Sequence, residues 1–282
     1  MAGIPAIRPS PIAGTWYTGN QRALGISVDQ YIAKASLPAL NGTPVAVIAP
    51  HAGHRYSGAT AGYAFRAIAG MEFDLVAVIS PMHHVERQPL LTTAHQAYQT
   101  PLGEVAVDPH AVADLHTDLL SELGFGLTAV AFDREHSLEI ELPFLQRALP
   151  GGFKLLPVMM RDQSPPTAEG LGHALARLFK NRRALLVAST DLSHFYTEAE
   201  AQRLDQAMLD QVSAFSPRGV FQVENAGKGY ACGLGALAAV LWAAQDLGAT
   251  RVEILNHTTS AETTGDTTQV VGYGAAVALK PG

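Results

Sequence analysis

The chain has 282 residues, 48% of them hydrophobic and 16% charged, with a formal net charge of −6. A fold of this length buries roughly 75% of the surface its unfolded chain exposes, so the composition suits one large core and argues against a disordered scaffold. Negative charge without any Lys/Arg-rich run argues against nucleic-acid binding. The single cysteine, Cys232, cannot form an internal disulfide, which points to a reducing, cytoplasmic setting. Met1 to Tyr17 contains Pro5, Pro9 and Pro11 and no apolar h-region, unlike a secretory signal. No stretch reaches the ~18 apolar residues of a membrane span; Leu234–Ala244 is stopped by Gln245 and Asp246.

In chain order, Val45–Ala49 reads as a strand closed by Pro50, and helical spacing follows from Ala59 to Ile68 with Gly70 as a stop. Leu75–Ser80 is a second buried strand, closed by Pro81. Leu90–Val107 alternates and contains Pro101-Leu102-Gly103, the signature of a hairpin. Pro109–Leu123 and Glu135–Leu149 read as helices, the second kinked or split by Pro143. Lys154–Met160 and Ala184–Thr190 read as strands around a helix at Thr167–Phe179. Glu198–Val212 and Cys232–Gln245 read as helices, and Val252–Leu255 and Val270–Ala278 as closing strands. Such alternation predicts an α/β fold: one three-layer α/β/α domain over residues 1–282, with a central mixed, largely parallel sheet. No repeat or linker divides it.

Polar residues fall just after the buried strands. His51 follows Val45–Pro50, His83 and His84 follow Leu75–Pro81, and Asp191 and His194 follow Ala184–Thr190. In open α/β sheets the carboxyl ends of strands line the binding crevice. Cys232 precedes an apolar helix, where peptide dipoles favour a thiolate. A thiolate with two neutral imidazoles suits Fe²⁺, Zn²⁺ or Cu, and three protein ligands leave the open positions of a catalytic site. His83 and His84 point in different directions on an extended chain, so at most one of the two is expected to bind metal. Asp191 and His194 fit a general acid/base pair in which Asp191 fixes the imidazole tautomer; the alternative is that Asp191 caps a turn. Glu135 and His136 are cleft candidates, whereas capping accounts for Glu139. No Gly-x-x-x-x-Gly-Lys-Ser/Thr or Gly-x-Gly-x-x-Gly fingerprint occurs, which disfavours nucleotide-binding folds.

These residues lie in an ordered set of strings: Ala13-Gly14-Thr15-Trp16-Tyr17, Ala49-Pro50-His51-Ala52-Gly53, Tyr56-Ser57-Gly58, Ser80-Pro81-Met82-His83-His84, Tyr98 to Gly103, Glu135-His136-Ser137-Leu138-Glu139, Ser189 to His194, Cys232-Gly233 and Val271-Gly272-Tyr273. The set resembles the Memo family, whose prokaryotic members are named AmmeMemoRadiSam system protein B. That family is similar in fold to class III extradiol dioxygenases, which hold non-haem Fe²⁺ with two His and a Glu. The resemblance implies metal ligands at His51, His83 and Cys232, and a metal-facing histidine at His194 with Asp191 beside it. Substrate contacts then fall to Tyr56, His84, Glu135 and His136. It implies an iron oxidoreductase acting on a small molecule, with Cu or Zn²⁺ as other occupants, radical SAM pathway proteins as partners, and oligomers allowed. A non-catalytic redox or signalling modulator and a zinc hydrolase are the alternative readings. Cys in place of the dioxygenase Glu changes charge donation and puts ring cleavage itself in question. His54 and His257 stand where the family usually has Tyr; they either replace phenol hydrogen bonds or add metal affinity.

Overall fold

The computed structural model describes residues 3–281. The first third of the chain comprises β1 (Ile7–Arg8), α1 (Gln21–Lys34), β2 (Thr43–Ala49), α2 (His54–Arg66) and β3 (Leu75–Pro81). Next come β4 (Leu90–Thr93), β5 (Ala97–Thr100), β6 (Gly103–Ala106), α3 (Pro109–Leu123), β7 (Thr128–Val130) and α4 (Leu142–Ala148). The sequence continues through β8 (Lys154–Met160), α5 (Pro165–Phe179), β9 (Ala184–Ser189), β10 (His194–Tyr196), α6 (Glu198–Ser213) and α7 (Pro217–Asn225). It closes with α8 (Leu234–Asp246), β11 (Arg251–Thr259), α9 (Ala261–Thr264) and β12 (Val270–Lys280).

Nine strands form one mixed sheet with β2, β9, β3 and β8 side by side and parallel at its centre. Antiparallel strands flank this block: β12 with β10 and β11 beyond β2, and β4 beyond β8. The central strands read as nearly continuous apolar runs because both faces are covered. Alternate side chains separate cleanly. Ala46, Ile48, Ala77, Ile79, Leu186 and Ala188 pack toward α3, α5, α6, α7 and α8. Val47, Ala49, Val76, Val78, Leu185 and Val187 pack toward α1, α2 and α4. The three-layer α/β/α architecture follows from this period of two. No helix among the described residues is long and apolar enough to cross a membrane.

Several local expectations need correction. The Leu90–Val107 stretch is not one hairpin. Leu90–Thr93 joins the main sheet antiparallel to β8, and only β5 and β6 pair across the Pro101–Gly103 turn, in a small sheet with β1. Glu135–Leu149 is not one helix either: a 3-10 turn occupies Glu139–Glu141 and α4 begins at Leu142. Pro143 sits in the first turn of α4, where its missing N–H costs nothing, so it starts a helix instead of kinking one. Helix α2 begins at His54, earlier than its spacing suggested, and α7 was not foreseen.

The segment before α4 is held by an ion-pair cluster rather than by helical bonds. Arg8, 1% exposed, reaches Asp133 at 2.7 Å, Glu139 at 2.6 Å and the carbonyl of Glu135 at 2.8 Å. Glu139 also accepts from Ser10 and from Tyr17 Oη at 2.6 Å, so it is the anchor of β1 and not a helix cap. Removing one member of a buried pair strands the other's charge. Arg8→Met is therefore expected to cost about 3–5 kcal/mol of unfolding free energy, measured by guanidinium denaturation. A loss below about 1 kcal/mol would show that the clamp does not hold this segment.

His54 turns inward from the first turn of α2, between Tyr17 and Phe144 at ring separations of 5.2 and 4.9 Å. Its Nε2–H donates to the Ile140 carbonyl at 3.1 Å, while Nδ1 is buried without a partner. Burial holds its pKa down at about 4, against 6.5 for a free imidazole. The unfolded chain therefore binds more protons between pH 6.5 and 4, and stability present above pH 6.5 is lost as pH falls through that window. From pH 7 to pH 4 the wild-type protein should lose about 3 kcal/mol more unfolding free energy than His54→Phe. Equal losses in urea titrations at the two pH values would contradict this.

Candidate metal centre and cleft

The parallel block explains why distant residues meet. Ala49 of β2 is in register with Ser189 of β9, and Ile79 of β3 with Ala188, so three adjacent strands end at nearly the same height. His51, Asp191 and His83 follow those ends by two residues each. The structure brings His51, His83 and His136 together: one ligand atom from each lies within 4.8 Å of the others, an arrangement that can hold a metal ion. The rings of His83 and His136 stack at 4.7 Å, and both meet His51 edge-on at 5.3 and 5.5 Å. Cys232 joins through His51, with Sγ 3.1 Å from Nε2, but is not part of the mutually close set.

Both strand-end imidazoles are oriented from behind. Ser189 Oγ donates to the Ser137 carbonyl at 2.7 Å and lies 2.9 Å from His51 Nδ1, so it accepts the Nδ1 proton. His83 Nδ1–H donates to Glu135 Oε1 at 2.9 Å. Each ring thus has Nδ1 engaged and Nε2 left to face a metal, and each has the hydrogen-bonded partner that ligating imidazoles usually have. Glu135 is 1% exposed and lies beneath His83 instead of lining the cleft. It also accepts from the backbone N–H groups of His83 at 2.6 Å, and of His136 and Ser137 at 2.9 Å. Burial alone would raise its pKa; the bonds and charge from His83 and the Ser137 N–H outweigh that and hold it well below the usual carboxylate range.

Asp191 is a backbone anchor. Its Oδ1 accepts from the N–H groups of His51 at 2.7 Å and Ala52 at 3.3 Å, in the loop after β2, instead of capping the turn that follows it. Burial nonetheless raises its pKa to about 7 despite these two bonds. It does not set the His194 tautomer, because His194 Nδ1–H donates to the Leu192 carbonyl at 2.8 Å. Burial lowers the His194 pKa and leaves a neutral ring with Nε2 available.

Cys232 sits in a turn two residues ahead of α8, not in the helix itself. Burial first, and then the charge of Asp191, push its thiol up, so the helix dipole does not make a thiolate in the metal-free chain. Gly233 permits its approach: a Cβ there would lie 2.5 Å from the Ser189 carbonyl.

An open cleft of about 630 Å³ lies over these groups, lined by His51, His83, His136, Asp191 and His194 with Trp16, Tyr56, Phe195 and Tyr273. The Trp16 ring packs 4.0 Å from His136. Burial holds the His136 pKa down at about 4, so that ring is neutral. Tyr56 lines the cleft; His84 is exposed and does not. His54 and His257 bond to Ile140 and Asp205 respectively, consistent with replacement of phenol hydrogen bonds. Sequence reasoning missed Ser189, Arg8 and Phe195. Their roles rest on contacts across the sheet edge that no local spacing encodes.

A family model described as Memo-like protein matches residues 8–277. A MEMO1 family protein of Nitrosopumilus maritimus is 34% identical over 95% of this chain and 98% of its own length. One from Methanothermobacter thermautotrophicus is 33% identical over 95% of this chain and 98% of its own. The crystal structure of an uncharacterized Escherichia coli K12 protein superposes with a TM-score of 0.52 at 14% identity, covering 83% of this chain and all of that one, a likeness of fold alone. With its strand-end histidines, its cysteine and its full-length relatives, the chain belongs to the Memo family.

Proposed function

We propose that the protein is a non-haem iron oxidoreductase acting on a small molecule, with His51, His83 and Cys232 as the metal ligands. The observation that carries this reading is the fixed orientation of two neighbouring imidazoles, each held through Nδ1, with a sulfur 3.1 Å from Nε2 of one of them. Two imidazoles and a thiolate form a borderline-soft donor set suited to Fe²⁺, and also to Cu or Zn²⁺. When bound, the ion supplies Lewis acidity and, as iron, redox chemistry.

The residues around it divide the remaining work. Cys232 Sγ lies 3.1 Å from His51 Nε2, so both atoms could hold a cation in place of a shared proton. Glu135 orients His83, and Asp191 fixes the backbone of His51. His194, neutral and hydrogen-bonded through Nδ1, accepts a proton from a cleft ligand at Nε2. His136 lines the cleft, where tilted packing against Trp16 keeps the ring in place.

The closeness of His136 to His51 and His83 supports a second reading, in which His136 is the third ligand and Cys232 stands outside. Metal analysis after anaerobic purification separates the two. The first reading predicts near one iron per chain, lost in Cys232→Ala and kept in His136→Ala. The reverse pattern would support the second reading, and no bound metal in any preparation would sink both. Loss of its hydrogen-bonded support typically weakens a metal site 10–100-fold. Glu135→Gln, which keeps the shape but not the charge, is thus expected to weaken iron affinity about tenfold or more in chelator competition. Unchanged affinity would remove Glu135 from the account.

A further inference from the structure

The segment leading into α4 buries three acidic side chains, Glu135, Glu139 and Glu141. Two of them are surrounded by donors. Glu135 accepts from His83 and from the N–H groups of His83, His136 and Ser137, and Glu139 from Arg8, Ser10 and Tyr17. Glu141 is different. Its Oε1 lies 2.8 Å from Ser189 Oγ, and its Oε2 is buried with no partner. An ionised oxygen left bare in the interior is costly, whereas the carbonyl oxygen of a neutral acid loses far less.

The bonding capacity of Ser189 points the same way. A hydroxyl has one proton and two lone pairs. Around this one stand the Ser137 carbonyl at 2.7 Å, Glu141 Oε1 at 2.8 Å and His51 Nδ1 at 2.9 Å. The carbonyl can only accept, so the hydroxyl proton goes there and both lone pairs are left for donors. His51 Nδ1–H fills one; Glu141 fills the other only as an O–H. With Glu141 ionised, one proton would serve two acceptors and a lone pair would go unused. Burial pushes the Glu141 carboxyl well above the usual carboxylate range against the pull of the Ser189 bond, and the charge of Asp191 adds to the rise. The titratable groups beside it are engaged elsewhere, Glu139 with Arg8 and His54 with the Ile140 carbonyl.

We propose that Glu141 keeps its proton and donates it to Ser189 Oγ, which makes it the positioning residue of the hydroxyl that orients His51. The ring is thereby held by a neutral relay with no charge behind it, whereas His83 has the ionised Glu135 behind it. One consequence rests on the metal reading: His83 is then the stronger electron donor of the two imidazoles.

The test uses metal-free protein. Infrared spectra of chain labelled with ¹³C-glutamate, taken near pH 7.5, report the glutamates apart from Asp191. Wild type minus Glu141→Gln should show the C=O band of a protonated acid and no carboxylate band. A carboxylate band in that difference, or wild-type protein without any protonated glutamate, would overturn the proposal. The His51 Nδ1–H proton resonance reads the positioning. It should keep its shift in Glu141→Gln, whose amide donates in the same place, and move in Glu141→Met, which fills the space without a donor. An unmoved resonance in Glu141→Met would overturn the positioning role. The third arm is stability against pH. An unfolded Glu ionises near 4.5 while the folded one keeps its proton, so the stability this acid contributes falls as pH rises above that value. Between about pH 5.5 and 7.5 the unfolding constant of wild type should grow about tenfold per pH unit relative to Glu141→Gln; a constant ratio would contradict the assignment. Chelator competition with Co²⁺ on the same preparations keeps the two readings apart. The acid band without Co²⁺ binding overturns the metal reading alone, and Co²⁺ binding with a carboxylate band overturns the relay alone.

Discussion

A carboxylate in the interior must be either neutral or surrounded by donors, and Glu135 is surrounded. Side-chain and backbone donors of His83 meet it from the end of β3, and the N–H groups of His136 and Ser137 meet it from the segment that follows β7. That one charge joins a strand end to a segment without regular structure. Without it, His83 would have no fixed ring orientation and His136 no fixed backbone. The Arg8 clamp on Asp133 and Glu139 encloses the same segment from the other side. Two buried ionic anchors thus do what helical hydrogen bonds do elsewhere in the chain.

The other titratable groups at the sheet edge are arranged in the opposite sense. Burial keeps His51 and His136 uncharged, pushes Asp191 to about 7, and pushes the Cys232 thiol and Glu141 up. Burial thus works against charge on each of these groups, the opposite of what the donors around Glu135 do. A dication held by His51, His83 and Cys232 would favour loss of the thiol proton, because its charge would offset the desolvation that holds it.

Much of this was legible in the sequence where the signal was periodic. Both-face burial made the central strands apolar runs, and the polar residues just beyond them marked the crevice edge before any contact was known. What local pattern could not convey was partnership across elements. Glu139 looked like a helix cap because acidic residues suit first turns, but its partner is 131 residues away in β1. Pro143 looked like a kink because the helix was placed too early. Asp191 looked like an orienter of His194, three positions along, but bonds to His51 across the neighbouring strand. Phe195, at the bulge between β10 and β12, gave no signal at all, since a bulge is a property of pairing and not of composition.

The central claim is that two imidazoles and one thiolate hold the ion while His136 stays free. X-ray absorption at the iron edge of the anaerobically loaded protein reads that donor set directly. The account predicts a sulfur scatterer at roughly 2.3 Å, together with two imidazoles. A spectrum that needs three imidazoles and no sulfur would contradict it.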